Sequence, residues 1–242
     1  MFRSAALWSG VRTPAKAGVH LQSWRLDEMA GDGLLPPQEH IRMTKTIELI
    51  FDFVSPNAYL IWSPLRALAE KHGATIEVTP AFLGGMHKLT GNAPPFVRDA
   101  DVKGKNDYAM LEINRFIAKH GLTKFKMNPK FPFNTITLLR MLVALEPNER
   151  AGFVEALLPA IWEQGLDVTD SGALGRILDD GGFDAEALFE KTQDPAIKQA
   201  LIDNTEQAVA RGAFGIPTMF VDGEIYFGKE RLGQIDEQLS AA

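Results

Sequence analysis

The run Ile47-Glu48-Leu49-Ile50-Phe51-Asp52-Phe53-Val54 is rich in β-branched and aromatic residues, and Ser55-Pro56-Asn57-Ala58-Tyr59-Leu60 follows it directly. The first stretch fits a buried strand, while Ser before Pro supplies an N-cap with proline at the first helical position. A strand therefore feeds a helix. Leu60, Ile61, Pro64, Leu65 and Leu68 give that helix an apolar face, His72-Gly73 closes it, and 75–79 reads as a second strand. Strand, helix, strand is the opening of a βαβ unit.

Working outward, 84–85 (Gly-Gly) and Gly91-Asn92-Ala93-Pro94-Pro95 predict loop, because Gly and Pro interrupt both regular periods. Six stretches with apolar residues at three-and-four spacing follow, at 107–120, 135–145, 149–164, 171–178, 184–191 and 194–211, with Asp107, Ser171 and Asp184 as expected caps. The chain then returns to β at 217–221, turns at Asp222-Gly223, continues at 224–227 and ends in a helix over about 230–239. The expected fold class is α/β: a thioredoxin-like domain built from 47–80 and 213–242, interrupted by an inserted all-helical domain over 81–212. Residues 1–46 mix Gly, Pro, Ser and Arg without a sustained period and read as a disordered extension. Met43 directly precedes the first strand, so the upstream residues are expected to be the product of an overlong reading frame.

The 242 residues are 45% apolar and 23% charged, enough to bury a core without disulfides or structural metal. There is no cysteine, which removes dithiol redox chemistry, protein thiol nucleophiles and thiolate metal sites. The net charge of −6 and the lack of a basic patch argue against nucleic acid as a partner. No apolar run reaches the roughly 18–20 residues that span a bilayer, so no membrane partner is expected. Five scattered histidines without metal-ligand spacing predict no metal site. Met86, Met110, Met127 and Met141 are expected to fill the core, and Asp167 and Asp170 to cap helices.

In the expected fold Ser55 and Pro217 are neighbours. A helix N-terminus favours an anion, and with no cysteine present any sulfur held there comes with a ligand, to which the Ser55 hydroxyl can donate. The same serine also serves as a plain N-cap. Gly215-Ile216-Pro217-Thr218 at a strand entrance suggests a cis X-Pro bond that leaves the Ile216 backbone open to an extended peptide. Glutathione has both a sulfur and a peptide backbone.

Phe51-Asp52-Phe53-Val54-Ser55-Pro56-Asn57-Ala58-Tyr59-Leu60, Gly91-Asn92-Ala93-Pro94-Pro95, Pro132-Phe133-Asn134-Thr135, Gly212-Ala213-Phe214-Gly215-Ile216-Pro217-Thr218 and Phe227-Gly228-Lys229-Glu230-Arg231-Leu232 together resemble the 2-hydroxychromene-2-carboxylate isomerases and the related kappa-class glutathione transferases. The resemblance runs from 47 to about 240. It implies a dimeric thioredoxin-like enzyme with glutathione as cofactor and Ser55 as the catalytic residue that stabilises its thiolate. It also implies glutathione contacts from Asn92, from Ile216 and cis Pro217, from Lys105 (Lys103 being the alternative), and from Glu230. Lys229-Glu230 departs from the family pattern, in which a small or polar residue precedes Asp. The expected function is isomerisation of an aromatic, chromene-type hydroxy acid in the cytoplasm. The rivals are glutathione transfer to an electrophile, and a thiol- or peptide-binding module that catalyses nothing.

Overall fold

A computed structural model describes residues 45–241. Strand β1 (Thr46–Phe51) lies between β2 (Thr75–Pro80), to which it is parallel, and β3 (Thr218–Val221), to which it is antiparallel; β4 (Glu224–Phe227) completes the order β2-β1-β3-β4. Ile47 pairs with Ile76 on one side and Val221 on the other, and Leu49 with Val78 and Met219. This is the thioredoxin-like arrangement expected from the sequence. The central strand is buried because helices enclose it; Ile47, Leu49, Ile50 and Phe51 are all fully inaccessible.

Ser55 takes extended backbone angles and its hydroxyl oxygen accepts from the Ala58 N–H, so α1 (Pro56–His72) starts where the Ser-Pro pair predicts. It ends at Gly73 in the left-handed region, whose N–H returns to the carbonyls of Ala69 and Glu70. Between β2 and β3 lie α2 (Leu83–Thr90), α3 (Pro95–Arg98), α4 (Lys105–His120), α5 (Ile136–Ala144), α6 (Arg150–Trp162), α7 (Ser171–Asp180), α8 (Ala185–Lys191) and α9 (Pro195–Ala210). A 3-10 turn (Lys229–Arg231) leads into α10 (Leu232–Ala241), which packs on α1. The expectation of a disordered extension over 1–46, like that at Met43, lies outside the described residues as far as 44, and it ends too late: the Lys45 carbonyl accepts from Thr75 N–H and Thr46 already belongs to β1.

Several local expectations change. Gly84-Gly85 is helix, not loop: the Phe82 ring lies across the first turn of α2, and a Cβ on Gly84 would come within 2.8 Å of it. Two glycines each cost about 1 kcal/mol of helix propensity, and here tertiary packing overrides that cost. Asp107 lies inside α4 rather than capping it, since Gly104 turns the chain with a positive φ. Asp170, not Ser171, caps α7, while Asp184 caps α8 as expected. Met86 and Met141 are core, but Met110 and Met127 are exposed because they fall on the outward side of α4 and on the loop after it.

The helical segment is joined to the sheet by Trp162. Its ring is fully buried among Phe125, Phe131 and Phe133, and its Nε1–H donates to the Phe53 carbonyl at 3.0 Å, two residues ahead of Ser55. Trp162→Ala removes that packing and leaves a buried carbonyl unpaired. We expect a loss of about 3–5 kcal/mol, seen as a lower urea midpoint with an unchanged denaturant slope.

Candidate functional site

Ser55 is 4% exposed, and its hydroxyl donates to the Ile216 carbonyl at 2.9 Å while accepting from Ala58 N–H at 3.3 Å. The Ile216–Pro217 peptide is cis, as the sequence suggests. Thr218 Oγ1 donates to the Gly215 carbonyl at 2.7 Å and Gly228 N–H to the Pro217 carbonyl at 3.0 Å, which ties the cis turn to β3 and to the end of β4. Gly215 is required here by contact: a Cβ would come within 2.7 Å of the Phe227 ring. The Ile216 N–H has no protein acceptor among the described residues.

Asn92 joins this group through its Nδ2, which donates to the Phe214 carbonyl at 2.8 Å, so the loop after α2 is latched to the segment that carries Ile216. Glu230 follows Gly228 on the turn beyond β4 and is half exposed; its carboxylate pairs with Lys229 Nζ. Lys229 itself is 5% exposed at the side chain, with its ammonium 5.5 Å over the Phe116 ring. Lys105 opens α4 and binds Asp99 at 2.8 Å, and no described contact joins it to Ser55. Arg98 and Lys105 together hold the Asp99 carboxyl well below the usual carboxylate range. Ser55, Ile216, Pro217 and Asn92 are thus linked by hydrogen bonds or adjacency, Glu230 follows two residues after the Gly228 that bonds to Pro217, and Lys105 has no described contact with them.

Sequence reading missed Asp52 and Thr135 as partners. Asp52 is wholly buried, accepting from Val54 N–H at 3.1 Å and Thr135 Oγ1 at 2.6 Å on one oxygen and from Leu83 N–H at 2.9 Å on the other. Burial raises its pKa from 3.8 to about 6, outweighing the three hydrogen bonds, each of which favours the ionised form. The signal was an acid inside an otherwise apolar strand run, which buries its charge only with partners. Thr135 starts α5 without capping it, because its hydroxyl is spent on Asp52.

A cavity of about 450 Å³ lies on the flank of α1 between Tyr59, Trp62, Arg66, Leu122, Pro159 and Glu163 and does not include Ser55. A smaller one, about 230 Å³, is lined by Phe116, Lys119, His120, Lys229 and Glu230. Hydrogen bonding, not cavity size, therefore locates the candidate site. Among the described residues no cluster of His, Asp and Glu could hold a metal ion, and no helix is long and apolar enough to cross a membrane.

A βαβ-ββα sheet with a polar group at the start of its first helix, facing a cis proline, defines a thioredoxin-like protein. A model of the DSBA-like thioredoxin domain matches residues 46–240. A 2-hydroxychromene-2-carboxylate isomerase of Sphingobium xenophagum is 34% identical over 200 residues, covering 81% of this chain and 99% of the relative. Glutathione S-transferase kappa 1 of Homo sapiens is 27% identical over 203 residues, covering 78% and 88%. A solved 2-hydroxychromene-2-carboxylate isomerase shares the fold at a TM-score of 0.70 and 24% identity, with 81% of this chain and 95% of that one covered. The chain belongs to the DSBA-like thioredoxin family, in the group formed by the 2-hydroxychromene-2-carboxylate isomerases and kappa-class glutathione transferases.

The burial of Asp52 has a measurable consequence for stability. Unfolded, its carboxyl ionises near 3.8; folded, at about 6. Its favourable contribution is therefore complete below the lower value and lost as pH rises through the upper one, an amount of about 3 kcal/mol. Asp52→Asn cannot titrate. The difference in unfolding free energy between the natural chain and this variant is expected to fall by about that much between roughly pH 4 and pH 7, as read from urea denaturation at each pH.

Proposed function

We propose that the chain is a glutathione-dependent isomerase of aromatic hydroxy acids of the 2-hydroxychromene-2-carboxylate type, with Ser55 stabilising the cofactor sulfur as its anion. The observation that carries this reading is the Ser55 hydroxyl at the start of α1, bonded to the carbonyl of a cis Ile216–Pro217 peptide in a chain without cysteine. Two unpartnered groups fit a peptide-like cofactor. Among the described residues the Ile216 N–H lacks an acceptor, and in the first turn of α1 the Asn57 Oδ1 is buried without a donor. The assembly proposed with this reading is a homodimer in the cytoplasm.

Glutathione, when bound, supplies a thiolate that adds reversibly to the conjugated skeleton, so that the double bond to be isomerised becomes single and can rotate. The protein supplies the rest. Ser55 has one hydroxyl proton, now given to Ile216 O. Turning it toward the sulfur exchanges a neutral acceptor for a charged one, and a hydrogen bond to a charged group is stronger, at about 1.5–3 kcal/mol. The α1 N-terminus adds its positive end to the same point. Ile216 offers its free N–H to the tripeptide backbone, with Pro217 fixing the direction of that edge.

Asn92 holds the Phe214 carbonyl and so keeps the Ile216 segment in register for the ligand. Glu230 would accept from the γ-glutamyl ammonium, an exchange in which the ligand shares the carboxylate with Lys229. Lys105 would meet a ligand carboxylate by leaving Asp99, whose second cation, Arg98, stays in place.

Ser55→Ala should raise the pKa of the bound thiol by about one to two units while leaving glutathione affinity within a few-fold. An ultraviolet pH titration of the thiolate band measures the first and calorimetry the second. With 2-hydroxychromene-2-carboxylate, the natural chain should form the isomer at sub-stoichiometric glutathione with no loss of thiol. Stoichiometric thiol loss with a generic electrophile and no isomer would instead make it a transferase, and binding without turnover of either would make it a binding module.

A further inference from the structure

Asp52 stands at the junction of three helix starts. Its side chain accepts from the N–H of Leu83, the first residue of α2, and from the hydroxyl of Thr135, which immediately precedes α5. Its own backbone carbonyl accepts from Ser55 N–H at 3.2 Å, and its Oδ1 from Val54 N–H. The turn over 52–55 is thus closed by two bonds that both end on Asp52, and Ser55, the cap of α1, is what that turn delivers. We propose that Asp52 is a positioning residue for Ser55: its carboxylate clamps the 52–55 turn to α2 and α5, and protonation, while it removes the cost of a buried charge and so favours the fold as a whole, takes an acceptor from the clamp and locally loosens the aim of the Ser55 hydroxyl.

Donor counting gives the physical reason. The carboxylate meets three donors, two amides and one hydroxyl, and accepts from all of them. Once protonated it must also donate. Of its three partners only the Thr135 hydroxyl can reverse and become an acceptor, and it does so by giving up its own donation into the cluster. No charged side chain relieves the change. β1 carries Glu48, held by Arg211 and Thr79; α1 carries Arg66, Glu70, Lys71 and His72; α2 carries His87 and Lys88, α5 carries Arg140, and α9 carries Lys198, Asp203 and Glu206. None of these contributes to the acidity of Asp52, which burial and the three hydrogen bonds alone set.

The consequence for catalysis rests on the function proposed above. Three residues of chain separate Ser55 from Asp52 by at most about 10 Å, close enough for an anion at Ser55 to repel the Asp52 carboxylate. Each charge then raises the other group's pKa, and by the same amount.

The test is a pH titration by NMR of the 15N-labelled chain without ligand, beside Thr135→Ser, Thr135→Val and Asp52→Asn. The amides of Val54, Leu83, Ser55 and Ala58 should share one inflection near 6, and the exchange protection of the Ala58 amide should fall below it. Thr135→Ser should keep the inflection, and Thr135→Val, lacking a bond to the charged form, should move it up by about one unit. Asp52→Asn should abolish it; if that variant does not fold, Thr135→Val decides. Inflections at Val54 and Leu83 with no change in Ala58 protection, or no shift in Thr135→Val, overturn the proposal. Glutathione at saturation should then raise the inflection by about one further unit. A shared inflection that glutathione leaves untouched would refute the proposed function and leave the positioning role standing.

Discussion

The hydroxyl of Ser55 meeting the carbonyl of Ile216 joins points 161 residues apart, and the rest of the architecture exists to bring them together. Ser55 is placed by β1, which must be the inner strand so that β3 can pair with it in register, Leu49 against Met219 and Ile50 against Thr218. That pairing fixes where the chain enters β3 and hence where the cis peptide lies. The eight helices between β2 and β3 are free to vary in outline only if they return the chain to this edge. Trp162 shows how they are held: its ring fills the aromatic core while its N–H is bonded to Phe53, on the same short segment that presents Ser55.

How much of this could be read from residues depends on the range of the interaction. The β1–α1 junction was legible because Ser-Pro determines a helix start within four residues. The β3–β4 hairpin was legible because Asp222 and Gly223 both take positive φ in its two-residue turn. The start of α2 was not. Gly84-Gly85 reads locally as a break, and only the Phe82 ring folded over those positions, together with Asp52 capping Leu83 from 31 residues away, makes a helix there. The error at Asp107 has the same origin, since the turn at Gly104 that starts α4 carries no side-chain cap.

The site divides in the same way. Ser55, Ile216 and Pro217 belong to two local motifs whose meeting follows from sheet order, so they could be named in advance. Asn92 was named as a ligand contact, and its described bond is to the Phe214 carbonyl, a role in holding the loops that precedes any ligand. Lys229 stands where the family pattern has a small or polar residue. Its side chain is nearly buried, with the ammonium over Phe116 and paired with Glu230. Asp52 and Thr135 could not be paired from sequence, because their contact joins residues 83 apart through side chains alone.

A thioredoxin-like scaffold without cysteine keeps the electrostatics of its site and loses the redox couple. The positive end of α1 and the backbone edge beside the cis proline remain, while a serine hydroxyl can donate to a sulfur but cannot form a disulfide with it. Such a site can lower the pKa of a visiting thiol without consuming it. That is what an isomerase needs, since the nucleophile must leave as readily as it adds, whereas in a transferase the sulfur departs with the conjugate. On the proposed function, the buried carboxylate at Asp52 would fit the first demand: an anion behind the site would oppose a second anion at Ser55 and so limit how far a bound thiolate is stabilised.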